Sequence, residues 1–120
     1  MGRQYRQIEV DQEGDVFCAR LRNSRLGEED IYGFSEDILE LINEDGCRKL
    51  VLELGPKDPY CLFSVFLAKL VSIKRRLDKN GGQLKLASVG PETYRVFEIC
   101  KLHNLFDFAP DRQKAIADFK

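Results

Sequence analysis

The segment at residues 60–82 constrains the fold of this chain more than any other. It follows a short apolar run at 50–54 and ends in Asn80-Gly81-Gly82, residues that stop a helix before a next strand. Placed at 100° per residue, its large apolar side chains gather on one side and its small and basic side chains on the other. The apolar side holds Leu62, Phe63, Phe66, Leu67, Leu70, Ile73 and Leu77, and the other holds Ser64, Val65, Ala68, Lys69, Ser72, Arg75 and Arg76. The pattern predicts a helix over 64–80 that docks on a core and exposes a serine in its first turn.

Strand and helix patterns flank this segment on both sides. Residues 7–11 and 16–22 read as a hairpin of two strands, and apolar residues recur at helical spacing from the acidic run 28–30 to Gly46. Further strands are predicted at 50–54, 83–89 and 105–108. A helix starts at Gly90-Pro91, with Val96, Phe97 and Cys100 as its predicted inner face, and a last helix follows Asp111 as its cap.

The resulting order is β-β-α-β-α-β-α-β-α, which defines the fold class as α/β. Single helices between strands require parallel crossovers, so we expect a mixed, mostly parallel sheet packed with helices and an antiparallel first strand at one edge. A length of 120 residues predicts one domain over 1–120, with its core at about 8–119.

Charge and hydropathy exclude several classes of partner. Nineteen basic and twenty acidic residues give a net charge of −1, which argues against nucleic acid and anionic membranes as partners. The N-terminus has no apolar run behind it, and the most apolar stretch carries Lys69, so we expect a cytoplasmic protein without direct membrane insertion. Protein or small-molecule partners remain.

The cysteines do not form a recognisable site. Cys18, Cys47, Cys61 and Cys100 include no Cys-x-x-Cys pair, and His103 is the single histidine, so neither a metal site nor a Cys-His nucleophile is predicted. We expect buried, unreactive thiols, no cofactor and no enzymatic activity. The alternative is a thiol or phosphoryl-handling enzyme, which would require a cleft that holds Cys61 or Cys100 with a perturbed pKa.

The arrangement of elements and motifs resembles the STAS domain, the domain of bacterial anti-sigma factor antagonists, which is also a module of sulfate transporters. The resemblance covers residues 8–119. It depends on the spacing of Leu-Val-Leu-Glu-Leu at 50–54, a serine-opened helix, Gly81-Gly82, a Leu-x-Leu strand, Pro-Glu-x-x-x-Val-Phe at 91–97 and Leu-x-x-Leu-Phe at 102–106.

The resemblance implies a role in regulating transcription by partner switching. In the antagonists, an Asp-Ser-Ser-Gly motif opens the equivalent helix, and an anti-sigma factor that is also a serine kinase phosphorylates the first serine. Counting back from Gly81 places that serine at Ser64, while Phe63, Val65 and Phe66 occupy the other motif positions. The resemblance therefore implies an ATPase-type anti-sigma factor as partner and Ser64 as the candidate phosphoacceptor.

The resemblance also implies a binding surface formed by the loop before this helix and by the exposed side of the helix. Its candidate residues are Asp58, Tyr60, Val65, Ala68, Lys69 and Ser72, with Asn23 and Arg25 as rim contacts. Other interpretations stay open: Ser64 as a capping serine, an ordinary solvated helix face, and an adaptor that is not phosphorylated. Such an adaptor would be a STAS subunit of a lipid-transport ABC complex or of a signalling assembly. The oligomeric state is left open.

Overall fold

The computed structural model describes residues 5–55 and 57–119. Its strands are β1 Ile8–Glu13, β2 Val16–Leu21, β3 Lys49–Glu53, β4 Gln83–Ala87 and β5 Asp107–Ala109; its helices are α1 Glu28–Asn43, α2 Phe63–Lys79, α3 Pro91–Ile99 and α4 Arg112–Asp118. The predicted order of elements is confirmed. None of the helices in the described ranges is long and apolar enough to cross a membrane.

The five strands form one sheet in the order β1-β2-β3-β4-β5. β1 pairs antiparallel with β2 at one edge, and β2, β3, β4 and β5 pair parallel with one another. The prediction of a mostly parallel sheet with an antiparallel edge strand is therefore confirmed.

The sheet separates a large core from a small one. Leu50 and Leu52 of β3 point towards α1, α2 and α3 and lie in the large core with Phe34, Phe66 and Phe97. Val51, between these two leucines, points to the other face of the sheet and joins a small core under α4. This core contains Val16, Cys18, Val51, Ala87, Ala109, Ala115 and Ile116. The period of two along the strand thus distributes apolar side chains to both layers.

Helices α1 and α2 lie side by side and run in the same direction, because each returns the chain between parallel strands on one face of the sheet. The ring centroids of Phe34 and Phe66 are 5.4 Å apart. Near the C-terminal ends, the Arg76 guanidinium donates to the Asn43 side-chain oxygen at 3.2 Å. The two contacts fix the relative heights of the helices.

Three placements differ from the predictions. Leu62 is 56% exposed because it precedes α2, where the helical period no longer sets its direction. Cys100 is exposed rather than part of the inner face, because α3 ends at Ile99. The last strand begins at Asp107, and Leu105 before it is 42% exposed.

Candidate functional site

The loop before α2 is tied to the loop before α1. Arg25 and Tyr60 form an isolated parallel bridge, in which the Leu26 N–H donates to the Tyr60 carbonyl at 3.0 Å and the Tyr60 N–H donates to the Ser24 carbonyl at 2.6 Å. Both helices therefore start at one rim of the sheet, beyond the carboxyl ends of β2 and β3.

This rim carries exposed aromatic, aliphatic and cationic side chains. Tyr60 is 70% exposed, and the Arg25 guanidinium lies 5.2 Å from the centroid of its ring. A shallow cleft of about 510 Å³ lies beside them, lined by Arg25, Leu26, Gly27, Tyr60, Cys61 and Leu62. Tyrosine and arginine are enriched in protein interfaces, and an exposed leucine beside them adds apolar area that a partner can bury.

The start of α2 leaves its amide groups without a side-chain cap. Leu62 occupies the N-cap position, and its carbonyl accepts the N–H groups of Val65 and Phe66, each at 3.1 Å. The preceding N–H groups, of Phe63 and Ser64, have no helical partner. The first turn contains no acidic residue, so its positive dipole end is not compensated there. Ser64 is exposed at the second residue of the helix, and the N-cap position belongs to Leu62.

The outer face of α2 continues this surface. Ala68 and Ser72 are exposed, whereas Val65 is partly buried and packs against the large core. The Lys69 ammonium lies 4.8 Å from the centroid of the Tyr32 ring, so this face extends onto α1. The Tyr32 hydroxyl donates to the Glu28 carboxylate at 2.9 Å, which raises the pKa of Tyr32. Lys69 and Tyr32 thus join the two helices at the surface.

Two candidate residues lie apart from this surface. Asp58 is partly buried, and its carboxylate packs so closely against Gly90 that a Cβ at that position would overlap with it. There it faces the start of α3, where the helix dipole favours a carboxylate. Asn23 is exposed but lines a separate cleft with Arg20 and Lys57. The structure therefore brings together Arg25, Tyr60, Ser64, Ala68, Lys69 and Ser72, and it places Asp58 and Asn23 elsewhere.

The residues around Ser64 pack as hydrophobic side chains. Phe66 is fully buried against Phe34, and the rings of Phe63 and Phe66 meet edge to face with centroids 6.3 Å apart. Phe63 and Phe66 therefore contribute to the core between α1 and α2. The hydroxyl-bearing Ser64 between them is exposed.

Two buried thiols, Cys18 and Cys47, and the partly buried thiol of Cys61 are poor nucleophiles at neutral pH. Burial raises the pKa of Cys61 to about 11 and that of Cys47 to about 12, and it also raises the pKa of Cys18. A thiol with such a pKa is protonated at pH 7, whereas nucleophilic attack requires the thiolate. In the ranges 5–55 and 57–119, no group of three or more potential ligands is arranged to hold a metal ion.

Leu62 and Tyr32 belong to this surface but were not predicted from the sequence. Leu62 was assigned to the inner face by its helical phase, and Tyr32 lies on the polar side of α1. The sequence does contain a signal for each residue. Tyr32 is a large aromatic residue on the polar side of a predicted helix, and Leu62 is a large apolar residue at the position where a helix begins. Their exposure of 56% and 44% makes them the clearest apolar contacts that the sequence reasoning missed.

The fold and the surface together define a single-domain α/β module that presents a helix start and one helix face for binding. The family model for the STAS domain matches residues 7–115. The chain therefore belongs to the STAS domain family. No curated protein shows significant sequence similarity to it.

Several solved structures share this fold. An anti-sigma factor antagonist (STAS) domain protein from Planctomyces limnophilus is 21% identical, with a TM-score of 0.80 over 94% of this chain and 97% of that one. A putative anti-sigma factor antagonist from Thermotoga maritima is 20% identical, with a TM-score of 0.78 over 92% of each chain. The Bacillus cell-fate determinant SpoIIAA in its phosphorylated form is 15% identical, with a TM-score of 0.70 over 94% and 99%.

Proposed function

We propose that this chain is a cytoplasmic STAS regulator that binds an anti-sigma factor of the ATPase and serine-kinase type and thereby frees a sigma factor. The observation that carries the proposal is the exposed surface at the start of α2, where Arg25, Tyr60 and Leu62 surround an uncapped helix end that displays Ser64. This surface offers binding groups without a catalytic constellation, so the proposed activity is binding. The likeness to anti-sigma factor antagonists supports the proposed class of partner.

Phosphorylation of Ser64 would end the complex through charge. A phosphate adds about −1.5 to −2 charges at neutral pH, and the helix dipole offsets roughly 0.3 to 1 kcal/mol of the cost at an exposed site. Burying that anion beneath a partner, beside the apolar Leu62, would cost several kcal/mol unless the partner paired it. Ser64 is exposed, so the phosphate stays solvated when the protein is free and the fold is preserved.

The direct test is phosphoryl transfer to defined variants. The purified chain is incubated with ATP and the anti-sigma factor kinase of the same cell, and intact mass is measured for wild type, Ser64→Ala and Ser72→Ala. Ser72 is a matched control because it is also an exposed serine on the outer face of α2. We expect one phosphate on the wild type and on Ser72→Ala and none on Ser64→Ala.

Binding is measured with the same kinase in the presence of nucleotide. We expect Ser64→Asp to weaken the complex by at least about tenfold and Ser64→Asn, which is similar in size and neutral, to weaken it much less. Equal phosphate transfer to wild type and Ser64→Ala would remove Ser64 as the acceptor. Absence of any complex with kinase-type anti-sigma factors would refute the proposed partner.

The packing around Ser64 favours a second candidate function. Because Phe63 and Phe66 serve the core instead of forming a polar motif, the same surface would suit an adaptor that binds its partner permanently. Such an adaptor would be a STAS subunit of a lipid-transport ABC complex or of a signalling assembly. Protein isolated from its native cell would then carry no phosphate and would co-purify with a larger complex, whereas a phosphorylated pool would exclude this alternative.

A further inference from the structure

The exposed faces of α1 and α2 carry opposite charges. Helix α1 contains no basic residue, and its acidic residues are Glu28, Glu29, Asp30, Glu36, Asp37 and Glu40. Helix α2 contains one acidic residue, Asp78, and the basic residues Lys69, Lys74, Arg75, Arg76 and Lys79. The two helices lie side by side, so this separation places an acidic strip next to a basic strip on one surface.

The outward charges of these strips are not neutralised within the molecule. Glu36 and Glu44 are exposed on the outer side of α1 and at its C-cap, and they are called here the acidic ridge. Arg75 and Lys79 are exposed on the outer side of α2 and are called the basic ridge. Within the described part of the chain, the side chains of these four residues make neither a hydrogen bond nor an ion pair.

In the described ranges, the polar contacts between α1 and α2 pair a cation of α2 with an uncharged side chain of α1. Lys69 lies over the Tyr32 ring, and Arg76 donates to the amide oxygen of Asn43. The second contact sets the heights of the ridges, because Glu44 directly follows Asn43 and Arg75 directly precedes Arg76. Glu44, at the C-terminal end of the acidic ridge, therefore lies at nearly the same height as Arg75 of the basic ridge.

We infer that two copies of this chain associate through these faces, with the acidic strip of each copy over the basic strip of the other. A two-fold axis parallel to the helices exchanges the positions of α1 and α2 while it preserves height. Glu44 of one copy then lies level with Arg75 and Lys79 of its partner. Glu36, about 10 Å nearer the start of α1, lies level with the partner's Lys69. A second copy of the chain therefore offers a complementary charge to both strips at once.

Exposed apolar groups provide area for the same contact. Tyr32 is 44% exposed on this face of α1, and Leu62 is 56% exposed at the N-terminal end of α2. Exposed ion pairs contribute little affinity each, so the ridges determine register and salt dependence while the apolar groups supply burial. We therefore expect a weak, salt-sensitive dimer.

Self-association of this kind needs no other protein, but its regulatory consequence rests on the proposed function. The outer face of α2, including Ala68 and Ser72, lies inside both contacts. A dimer would thus withhold the partner-binding surface, and partner docking would require the monomer.

Sedimentation analysis with exchanged charges tests the contact. One variant, Glu36→Lys/Glu44→Lys, makes both ridges basic; the other, Arg75→Glu/Lys79→Glu, makes both acidic. We expect the wild type to dimerise at low salt and its dimer affinity to fall roughly tenfold in about 0.5 M salt. Each variant alone should dimerise with an affinity at least about tenfold lower than that of the wild type. A mixture of the two variants should form a heterodimer.

The matched control is the double variant Glu92→Lys/Glu98→Lys, which changes two exposed carboxylates of α3. This variant should dimerise as the wild type does. Circular dichroism verifies the fold of each variant. A wild type that stays monomeric at low salt, or a mixture that forms no heterodimer, would overturn the inference. A wild type that dimerises but does not bind the kinase would instead count against the proposed function alone.

Kinase binding tests whether the dimer withholds the partner-binding surface. If it does, Glu36→Lys/Glu44→Lys, which leaves α2 unchanged, should bind the kinase with higher apparent affinity than the wild type. Equal affinity would mean that dimerisation does not block the partner-binding surface.

Discussion

The starts of α1 and α2 lie next to each other at one rim of the sheet, yet the side chains around them differ in charge. At α1, the Gly27 N–H donates to the Asp30 carboxylate at 2.9 Å, and the first turn contains Glu28, Glu29 and Asp30. At α2, the N-cap is Leu62 and the first turn contains no carboxylate. The chain thus neutralises one helix start with its own side chains and leaves the other open.

The difference distinguishes a structural helix start from one available for binding. At α1, first-turn carboxylates compensate the helix dipole, and the Asp30 carboxylate accepts the Gly27 N–H. Leaving α2 open forgoes about 1 kcal/mol of stability and keeps a positive, partly apolar surface around Ser64. An anion on Ser64 or on a partner would interact with that surface, whereas the start of α1 would repel it.

The largest expected effect comes from breaking the packing that holds the two helices side by side. Phe66→Ala removes a fully buried ring that contacts Phe34, and we expect it to lower the free energy of unfolding by about 3–5 kcal/mol. Urea denaturation followed by circular dichroism measures the change.

The control for this prediction is Phe63→Ala, one turn earlier in α2. Phe63 is only partly buried, so its truncation should cost clearly less than that of Phe66. Equal losses for the two variants would mean that Phe63 is not at the margin of the core, and the boundary between packed and binding faces of α2 would have to move.

A smaller effect is expected from exchanging the two kinds of helix start. Leu62→Asp gives α2 the cap that it lacks and should raise the free energy of unfolding by about 1 kcal/mol. Asp30→Ala should lower it by a similar amount, about 1 kcal/mol, because the Gly27 N–H loses its acceptor. Thermal and urea unfolding of both variants provide the measurement.

The same exchange separates stability from function. Leu62→Asp removes exposed apolar area and adds a negative charge beside Ser64, so it should weaken kinase binding although the protein is more stable. Leu62→Asn offers a capping oxygen without the charge and should retain more binding. A Leu62→Asp protein that is less stable than the wild type would show that the start of α2 is already satisfied.

Most of the fold follows from local pattern. The short apolar run at 50–54 predicted β3, and the acidic run at 28–30 marked the start of α1. Asp111 was correctly predicted as the cap of α4, where its carboxylate accepts the Lys114 N–H at 2.9 Å. Each of these features depends on residues that are close together in the chain, so each can be predicted from one sequence.

The site was less predictable because its contacts join distant parts of the chain. Ser64 and the outer face of α2 followed from helical phase and family resemblance, but the bridge between Arg25 and Tyr60 depends on two loops meeting at the rim. Asp58 shows the reverse case, since its contact with Gly90 draws it away from the predicted surface. Leu62 was assigned inward because a helical period was extended beyond the first residue of the helix.

The Cys61 thiol lies in the cleft between the starts of α1 and α2, and its reactivity tests the smallest expected difference between them. Burial raises the pKa of Cys61 to about 11, from an ordinary value of 9.0. The folded protein therefore holds this proton more tightly than the unfolded chain, so its contribution to stability is complete below about pH 9 and is lost as the pH rises towards 11. At pH 8, alkylation should modify the exposed Cys100 first and Cys61 at least about tenfold more slowly.

Mass spectrometry of partly alkylated protein resolves the two sites, and Cys100→Ser removes the competing reaction. The rate at Cys61 should rise steeply between pH 8 and the raised pKa, and a bound partner at the rim should lower it further, since Cys61 lines the cleft beside Tyr60 and Leu62. Alkylation of Cys61 ahead of Cys100 at pH 8 would mean that its thiolate is stabilised. The gap between α1 and α2 would then be a reactive site, and the thiol-enzyme interpretation would regain support over binding.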